Sequence, residues 1–435
     1  MQKLTPILIT TMVLILASSC GWPQSSCQAQ TIAVITVEAG TATRIDTPVS
    51  VALDGLPAGL QADTLGIVEI KGSERAPAAA QIEPGNPAKL WWVLSGTTPA
   101  GQSRTFELAP KGLVKTKTAA GDMVKAAKDD KFLDIQLGDA KVLRYNHAIV
   151  PAPENMGRVP PERKPLYDRS GFIHPIWSPT GVVLTEIHPL DHIHHMGLWM
   201  PWTHTRYEGK LVDFWNVGDG TGTVRFARFL STTDGPVYGG FQVEQEHVAR
   251  KTSEGEKVIL KEVWDVRVYN VGGKEKGYWL IDFKSTQRNI TDLPLIQERY
   301  RYGGFGFRAT SQWKRPNIDN LTSEGKTRKN TNATQARWCD NYGKIGDAWE
   351  GVTFFSHPQN FRHPEPMRTW ADPNDYLFFN FCPSQAGEWE MKPGEDHVFQ
   401  YRMYVHEGKI DVDTAERVWK DYAEPPVVKI KFEQK

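Results

Sequence analysis

The sequence predicts an all-β protein, with a small N-terminal β-sandwich followed by a large antiparallel β-sandwich. Short runs of alternating apolar and polar residues recur along the chain, which is typical of strands that bury one face. Fifteen tryptophans, 13 tyrosines and 18 phenylalanines accompany 37 glycines and 29 prolines, a composition that favours strands and turns. Long segments with helical periodicity are rare, so parallel strands joined by helical crossovers are not predicted.

Length and charge bound the number of domains and the class of ligand. The 435 residues exceed one ordinary hydrophobic core and predict two or three domains. Lys plus Arg and Asp plus Glu number 51 each, and this balance lacks the basic footprint of a nucleic-acid-binding protein. The charge balance therefore favours a polar or neutral small ligand.

Residues 1–30 have the pattern of an export signal. Lys3 gives the positive start, and residues 6–17 form an apolar core that is too short for a stable membrane anchor. The Ala-Ser-Ser-Cys segment that ends at Cys20 is similar to a bacterial lipobox, and cleavage close to residue 30 is the alternative. The sequence therefore predicts an exported protein, either soluble in the periplasm or an outer-membrane lipoprotein with a lipid anchor at Cys20.

Residues 31–115 form the first predicted domain. Alternating runs such as 49–53 and 104–108 are separated by turns rich in Gly, Pro and Asp, which is the rhythm of a small antiparallel sandwich. This stretch contains no histidine, so it is interpreted as an accessory or packing domain. Residues 116–130 are rich in Lys, Ala and Asp with little apolar periodicity, and they predict a linker.

Residues 131–435 form the second predicted domain, a large antiparallel sandwich. Its predicted strands cover residues 132–137, 141–150, 182–187, 258–270, 278–286, 352–356, 376–381 and 398–406. The last of these strands alternates cleanly between an apolar and a polar face. One helix is predicted near the end of the chain, over Val412 to Tyr422, with its start at Asp413 or Thr414.

Residues 187–202 hold the densest group of reactive side chains, with four of the chain's 12 histidines and two tryptophans. A strand here would place His192 and His194 on one face and His195 on the other. That geometry suits an acid–base pair, or two adjacent ligands, His192 and His194, for a divalent metal. Trp199 offers a flat apolar surface for a sugar ring. Hydrogen-bonded core histidines are the alternative, and the density of the cluster favours a functional site.

Two stretches place a carboxylate close to aromatic rings or arginines. Asp213 precedes Trp215, either as a site carboxylate beside an aromatic surface or as an exposed residue of a hairpin. Glu298 lies in a stretch that ends at Arg308 and contains glycines, which let a ligand approach the backbone. This stretch lacks the spacing of a phosphate-binding loop, so it does not predict a nucleotide site.

A loop after residue 356 and one isolated glutamate are the remaining candidates. The loop combines a backbone stiffened by proline with four polar side chains, those of His357, Asn360, Arg362 and His363. Glu262 interrupts the apolar face of a predicted strand, and we interpret it as an ion-paired structural residue rather than a site group with a raised pKa.

Imidazole, carboxylate, guanidinium and aromatic groups together are typical of a carbohydrate site. The sequence contains no Gly-X-Ser-X-Gly elbow, no Cys-X-X-Cys metal site and no dinucleotide fingerprint. The two histidine-bearing segments, some 160 residues apart, are predicted to meet at one site on a concave face of the large sandwich.

Ordered boxes between residues 131 and 430 resemble the PmoA-like family of secreted bacterial proteins. The boxes are 145–147 (Tyr-Asn-His), 169–175 (Arg-Ser-Gly-Phe-Ile-His-Pro) leading to 178–181, 191–199 (Asp-His-Ile-His-His-Met-Gly-Leu-Trp), 213–215 (Asp-Phe-Trp), 302–308 and 357–364. The family often has Arg at the position of Met196 and Asp at that of Ser356. The resemblance implies a β-supersandwich similar to galactose mutarotases, in a family found among glycan-degradation proteins. The mono-oxygenase activity in the family's name is not expected, because that enzyme spans the membrane several times.

We therefore predict a secreted carbohydrate-active protein and carry two classes. The first is a glycoside-processing hydrolase, lyase or epimerase-like enzyme. Its candidate catalytic residues are His192, His194 or His195 as general base and Asp213 or Glu298 as the acidic partner. The second is a non-catalytic protein that binds glycans through the same groups. The predicted substrate-binding residues are Trp199, Trp215, Arg308, His357, Asn360, Arg362 and His363.

Overall fold

A computed structural model describes residues 31–114, 123–313, 316–372 and 376–433. Within these residues the chain is nearly all β, which confirms the predicted fold class. No helix in this part of the chain is long and apolar enough to cross a membrane. The predicted export signal and residues 116–122 of the predicted linker lie outside the described residues.

The N-terminal sandwich is built from two sheets. Its first seven strands are β1 (Ala33–Glu38), β2 (Arg44–Ala52), β3 (Leu65–Lys71), β4 (Glu74–Ala78), β5 (Ala80–Glu83), β6 (Lys89–Thr98) and β7 (Ser103–Pro110). β1, β7, β3 and β4 lie in one sheet, and β2, β6 and β5 lie in the other. Ile35, Trp92 and Phe106 are buried between the two sheets, as the alternating sequence pattern predicts.

The large sandwich has two eight-stranded antiparallel sheets within the described residues. The front sheet consists, in spatial order, of β24 (Met367–Thr369), β25 (Phe378–Phe381), β20 (Phe305–Arg308), β12 (Leu198–Trp199), β11 (Phe172–Ile176), β10 (Ala140–Asn146), β9 (Phe132–Leu137) and β8 (Val124–Lys128). The back sheet consists of β15 (Gly222–Thr233), β16 (Tyr238–Thr252), β17 (Gly255–Tyr269), β18 (Tyr278–Asn289), β27 (Asp396–Glu407), β23 (Ala348–Ser356), β22 (Trp338–Ile345) and β21 (Ile318–Thr322).

A small third sheet flanks this sandwich. It contains β14 (Lys210–Val212), β13 (Thr205–Tyr207), β19 (Leu295–Gln297) and β26 (Trp389–Met391). Short 3₁₀ turns lie at Ala62–Thr64, Lys111–Leu113, Pro161–Tyr167 and Pro383–Ala386.

Aromatic side chains from both large sheets fill the core between them. Phe305 of the front sheet lies 5.3 Å from Phe283 and 5.4 Å from Phe354 of the back sheet, measured between ring centroids. Successive residues of a strand point to opposite faces. Trp199 and Arg308 therefore lie on the outer face of the front sheet, because their neighbours Leu198 and Phe307 belong to the core.

The first and last strands of the described residues meet in the N-terminal sandwich. The last strand, β28 (Val427–Phe432), pairs antiparallel with β1, so that Ala33 lies opposite Phe432. The predicted boundaries assign this strand to the second domain, because alternation within one short strand does not reveal its partner. The helix that precedes it, α1 (Val412–Ala423), is held to β2 by an ion pair of 3.0 Å between Arg44 and Asp421.

Three local predictions need correction. Residues 116–130 are not entirely a linker, because they include β8, which pairs with β9. Helix α1 has Asp411 as its N-cap, whose carboxylate accepts a hydrogen bond from the Thr414 backbone N–H, so the predicted start is too late. Residues 182–187 form isolated bridges rather than a continuous strand, with Thr185 opposite Ala309.

Candidate functional site

The histidine segment forms tight turns on the outer face of the front sheet, and the predicted strand through His192 is wrong. The His192 N–H donates to Pro189, and the His195 N–H donates to the His192 carbonyl at 2.9 Å. Gly197 ends the turns with a φ of +68°, where a Cβ atom would lie 2.5 Å from the Ile173 carbonyl oxygen. The segment is extended only at β12, which begins directly after this glycine.

These turns gather three imidazole rings instead of dividing them between two faces. The ring centroid of His192 lies 4.9 Å from that of His195 and 5.7 Å from that of His194. The rings of His194 and His195 are 4.7 Å apart and nearly perpendicular. The sequence prediction of a histidine cluster is therefore correct in composition and wrong in geometry.

The predicted aromatic platforms lie beneath the histidines rather than at the surface. Trp199 and Trp215 are 2% and 1% exposed, with ring centroids 4.6 Å apart. His195 is buried against Trp199 at 5.0 Å and against Phe378 at 5.0 Å. These rings form the floor of the site, so direct stacking of a sugar on Trp199 or Trp215 is excluded in this arrangement.

The rim above this floor carries partly exposed rings. Tyr302 and Tyr376 are half-buried, and the Tyr302 hydroxyl accepts hydrogen bonds from Trp370 Nε1 at 3.2 Å and Arg368 Nη2 at 3.1 Å. The Trp370 ring lies 4.5 Å from that of His192. The accessible aromatic surface is thus displaced from the predicted tryptophans to neighbouring rings.

A buried arginine and a carboxylate form the charged centre of the site. Arg308, whose side chain is 0% exposed, donates to both carboxylate oxygens of Asp191 at 2.7 and 2.8 Å. Burial raises the pKa of Asp191, but hydrogen bonds from His192 and Arg308 outweigh burial and hold this pKa below its ordinary value. Asp191 is therefore ionised at neutral pH, and Arg308, predicted to bind substrate, holds Asp191 instead.

Glu186 is the site residue that sequence reasoning missed. Its Oε2 atom is buried without a hydrogen-bond partner in the described part of the chain. Burial raises the pKa of Glu186 above its ordinary value, although the charge of Arg308 and a hydrogen bond from Ser311 act in the opposite direction. A signal was present, because Glu186 interrupts an apolar run in the same way as Glu262.

Two of the histidines are poor bases at neutral pH. Burial, together with the neighbouring positive charges, lowers the pKa of His194 to about 3. Burial also lowers the pKa of His195 well below its ordinary value, and its Nδ1 atom has no partner among the described residues. Both rings are therefore neutral at pH 7 and weak bases, which argues against the predicted role of general base.

The predicted acidic partners, Asp213 and Glu298, pair with residues outside the histidine cluster. Asp213 accepts hydrogen bonds from the backbone of Trp215 and Asn216 at 2.8 Å, and from the Asn216 side chain at 2.6 Å. Its carboxylate thus stabilises the turn at residues 213–216. Glu298 pairs with Arg206 and lies 3.8 Å from His204, beside the small third sheet. None of the contacts of Glu298 in the described residues reaches the histidine cluster.

The later loop is organised around a buried carboxyl group that the sequence analysis did not select. Glu365 accepts hydrogen bonds from Ser356 at 2.6 Å, Tyr401 at 2.7 Å and Asn360 at 3.0 Å. Burial raises the pKa of Glu365 to about 7, against the effect of these hydrogen bonds. His363 joins the group through Ser356 at 3.0 Å. Asn360 and His363 therefore contribute to a local network.

The predicted meeting of the two histidine segments is not formed by contacts among the described residues. The His357 ring packs on Tyr422 of helix α1, with centroids 5.0 Å apart. Arg362 donates to the backbone carbonyls of Pro383 and Gly387 at 2.7 and 2.6 Å. The loop side chains thus bind the fold itself rather than the histidine cluster.

The predicted metal site at His192 and His194 lacks a third protein ligand among the described residues. Among the residues that the structure describes, no three His, Cys, Asp or Glu side chains are arranged to hold a metal ion. His192 and His194 alone make an incomplete set for a tetrahedral site, in which a protein supplies three or four ligands. We therefore give no metal a role at this site.

A separate cavity of about 510 Å³ lies between the N-terminal sandwich and the back sheet. Its charged side chains pair with one another, Arg104 with Glu69 at 2.6 Å and Lys276 with Asp46 at 2.7 Å. Since these groups are satisfied inside the protein, the cavity is a polar cleft between domains and not the candidate site.

The chain belongs to a family of unknown function, DUF6807, whose model matches residues 133–420. No curated protein matches this chain. Its structure is similar to an α-mannosidase from Enterococcus faecalis V583, with 13% identity and a TM-score of 0.46 over 93% of this chain and 46% of that one. Heparan sulfate lyase HepC from Pedobacter heparinus matches with 10% identity and a TM-score of 0.33, over 69% and 39%. The chain spans less than half the length of either enzyme, and these similarities are too low to carry an argument for function.

Proposed function

We propose that this member of the DUF6807 family is a carbohydrate-active enzyme that acts on a glycoside, with Glu186 as the proton donor. The observation that carries the proposal is a pair of carboxyl groups with opposite pKa shifts, both acted on by Arg308. Asp191 is held ionised by its double hydrogen bond to Arg308, whereas burial favours the protonated form of Glu186. Separating two carboxyl groups into an acid and an anion is how glycosidases divide their catalytic roles.

The surroundings of this pair suit a sugar. The half-buried rings of Tyr302 and Tyr376 offer apolar faces beside polar groups, which is the combination that sugar rings require. His192, whose side chain is 38% exposed, is placed to bond a hydroxyl group. The neutral ring of His194 adds an acceptor or donor without adding charge.

The roles follow from the protonation states. Glu186 keeps a proton to a higher pH than an ordinary glutamate, so it can donate to the glycosidic oxygen as the bond breaks. Asp191 remains anionic and stabilises positive charge that develops on the sugar ring. Arg308 fixes Asp191 in place and, by its charge, keeps the pKa of Glu186 from rising further.

The alternative is a glycan-binding protein without catalysis, and one observation favours it. Both oxygens of Asp191 are engaged by Arg308, and its low pKa makes it a weak base and a weak nucleophile. In that case the same residues only orient a bound sugar.

The experiment is a screen of plant, algal and keto-sugar glycosides with the wild type, Glu186→Gln and the control Glu298→Gln. We expect turnover by the wild type and a loss of about 10²- to 10⁴-fold in Glu186→Gln, with binding retained. Glu298→Gln removes a carboxylate outside the site and should keep activity within a few-fold. Tight binding without turnover by the wild type would contradict the proposed enzyme and support a glycan-binding protein without catalysis.

Export belongs to the same proposal and rests on the sequence alone. A PmoA-like secreted protein that processes glycans would meet its substrate in the periplasm or on the outer membrane, with Cys20 as the lipid-bearing residue. Labelled palmitate should be incorporated by the wild type and not by Cys20→Ala. Cleavage of the wild type near residue 30, without label, would instead support a soluble periplasmic protein.

A further inference from the structure

Arg169 is a second buried arginine close to the histidine cluster. It is 4% exposed, and its Nε and Nη1 atoms have no hydrogen-bond partner among the described residues. Two backbone hydrogen bonds to Val150, of 2.7 and 3.0 Å, fix its position directly before β11. The backbone of Arg169 is therefore fixed, while two donor atoms of its guanidinium group have no partner among the described residues.

The charges around Arg169 do not neutralise it. Asp213 attracts it, but the carboxylate of Asp213 already accepts hydrogen bonds from its own turn. Arg250 adds a second positive charge nearby. Burial lowers the pKa of Arg169 to about 10, so the side chain is still charged at pH 7. A buried charge without a hydrogen-bonded partner is unfavourable unless a ligand supplies the counter-charge.

The two arginines of the site differ in this respect. Arg308 is equally buried but gives two hydrogen bonds to Asp191. Val150, which pairs with Arg169, packs against the aromatic cluster that contains Trp199 and Trp215, so Arg169 lies beside the floor of the site. One arginine is thus compensated within the protein, and the other leaves an excess positive charge beside the sugar site.

From this unpaired charge we propose that Arg169 binds the anionic group of an acidic sugar, either the carboxylate of a uronic acid or a sulfate ester. A guanidinium presents parallel N–H donors that match two oxygens of such a group. The inference rests on the proposed function, because it names the substrate class for the same site. It predicts a glycoside with a negative charge on the sugar next to the scissile bond.

The test measures binding of glucuronic acid, glucose 6-sulfate and glucose at matched ionic strength to three proteins. The wild type should bind at least one of the two acidic sugars about 10-fold or more tightly than glucose, and their order identifies the anion. Arg169→Met should lose this preference and keep its affinity for glucose. Arg250→Met is the matched control, since it removes a neighbouring positive charge and should keep the preference.

Inorganic sulfate separates this inference from the proposed function. Sulfate should raise the unfolding temperature of the wild type more than that of Arg169→Met, whether or not a glycoside is turned over. If the wild type and Arg169→Met turn over neutral glycosides at the same rate, the inference of an acidic sugar is contradicted, whereas the proposed enzyme is not.

The unliganded variant supplies the second measurement. Arg169→Met should unfold at the same or a higher temperature than the wild type, because it removes an unpaired buried charge. A fall of several degrees, with the anion preference unchanged, would make Arg169 a structural residue and overturn the inference.

Discussion

Glu262 in the back sheet and Glu186 beside the front sheet both interrupt apolar runs of the sequence. Glu262 accepts hydrogen bonds from Ser285 at 2.5 Å, His247 at 2.8 Å and Gln287 at 3.0 Å. The Oε2 atom of Glu186 has no such partner in the described residues, and burial raises the pKa of this residue. The carboxyl group of Glu262 is thus held by three donors, whereas that of Glu186 keeps one buried oxygen atom without a partner among the described residues.

The largest effect on stability is expected at Glu262. Glu262→Ala leaves three buried donors without an acceptor, so we expect a loss of about 3–5 kcal/mol in the free energy of unfolding. Denaturant titration measures this loss of unfolding free energy. The control Glu256→Ala removes an exposed carboxylate on the same strand, where a surface ion pair with Arg225 contributes about 1 kcal/mol or less. Equal losses in the two variants would show that the Glu262 network is not structural.

A smaller loss of stability is expected at Asp191, whose carboxylate compensates the charge of Arg308. Asp191→Asn leaves the buried Arg308 guanidinium with a neutral partner, and we expect a loss of about 1–3 kcal/mol, reduced because Asp191 is partly exposed to solvent.

The pH dependence of this loss has a definite sign. The pKa of Asp191 is lowered in the folded protein, so its contribution is present above the ordinary value near 4 and is lost as the pH falls below it. The difference in unfolding free energy between wild type and Asp191→Asn should therefore shrink from pH 6 to pH 3. A difference that stays constant over this range would contradict the ion pair.

The smallest effect is expected at Glu186, and it has the opposite sign. Its raised pKa means that the folded state disfavours the ionised form, so wild-type stability falls as the pH rises above the ordinary value near 4.3. Glu186→Gln should therefore be more stable than the wild type at pH 7, by less than about 1 kcal/mol because solvent screens a half-buried group. Thermal unfolding at pH 4 and pH 7 measures the change. A variant less stable than the wild type at pH 7 would make Glu186 structural like Glu262.

The sequence predicted the sheets better than the site. Strand β27 was evident because its apolar residues alternate, and all of Phe399, Tyr401, Met403 and Val405 are buried. The place of β28 was not evident, because its partner β1 lies almost 400 residues away.

At the site, the sequence located the histidines but not their geometry. Backbone hydrogen bonds and the left-handed Gly197 set the turns, and neither is visible in a pattern of residue types. The bond between Arg308 and Asp191 joins residues 117 positions apart. The raised pKa of Glu186 comes from its burial, and its Oε2 atom has no hydrogen-bond partner among the described residues; only a structure reveals both features.

The most direct test of Glu186 as proton donor is the dependence of its mutant's rate on the leaving group. A natural glycoside needs a proton on its leaving oxygen, whereas a dinitrophenyl glycoside of the same sugar departs without one. We expect Glu186→Gln to lose about 10²- to 10⁴-fold in turnover on the natural glycoside and less than about 10-fold on the dinitrophenyl glycoside. Equal losses on both substrates would contradict the account.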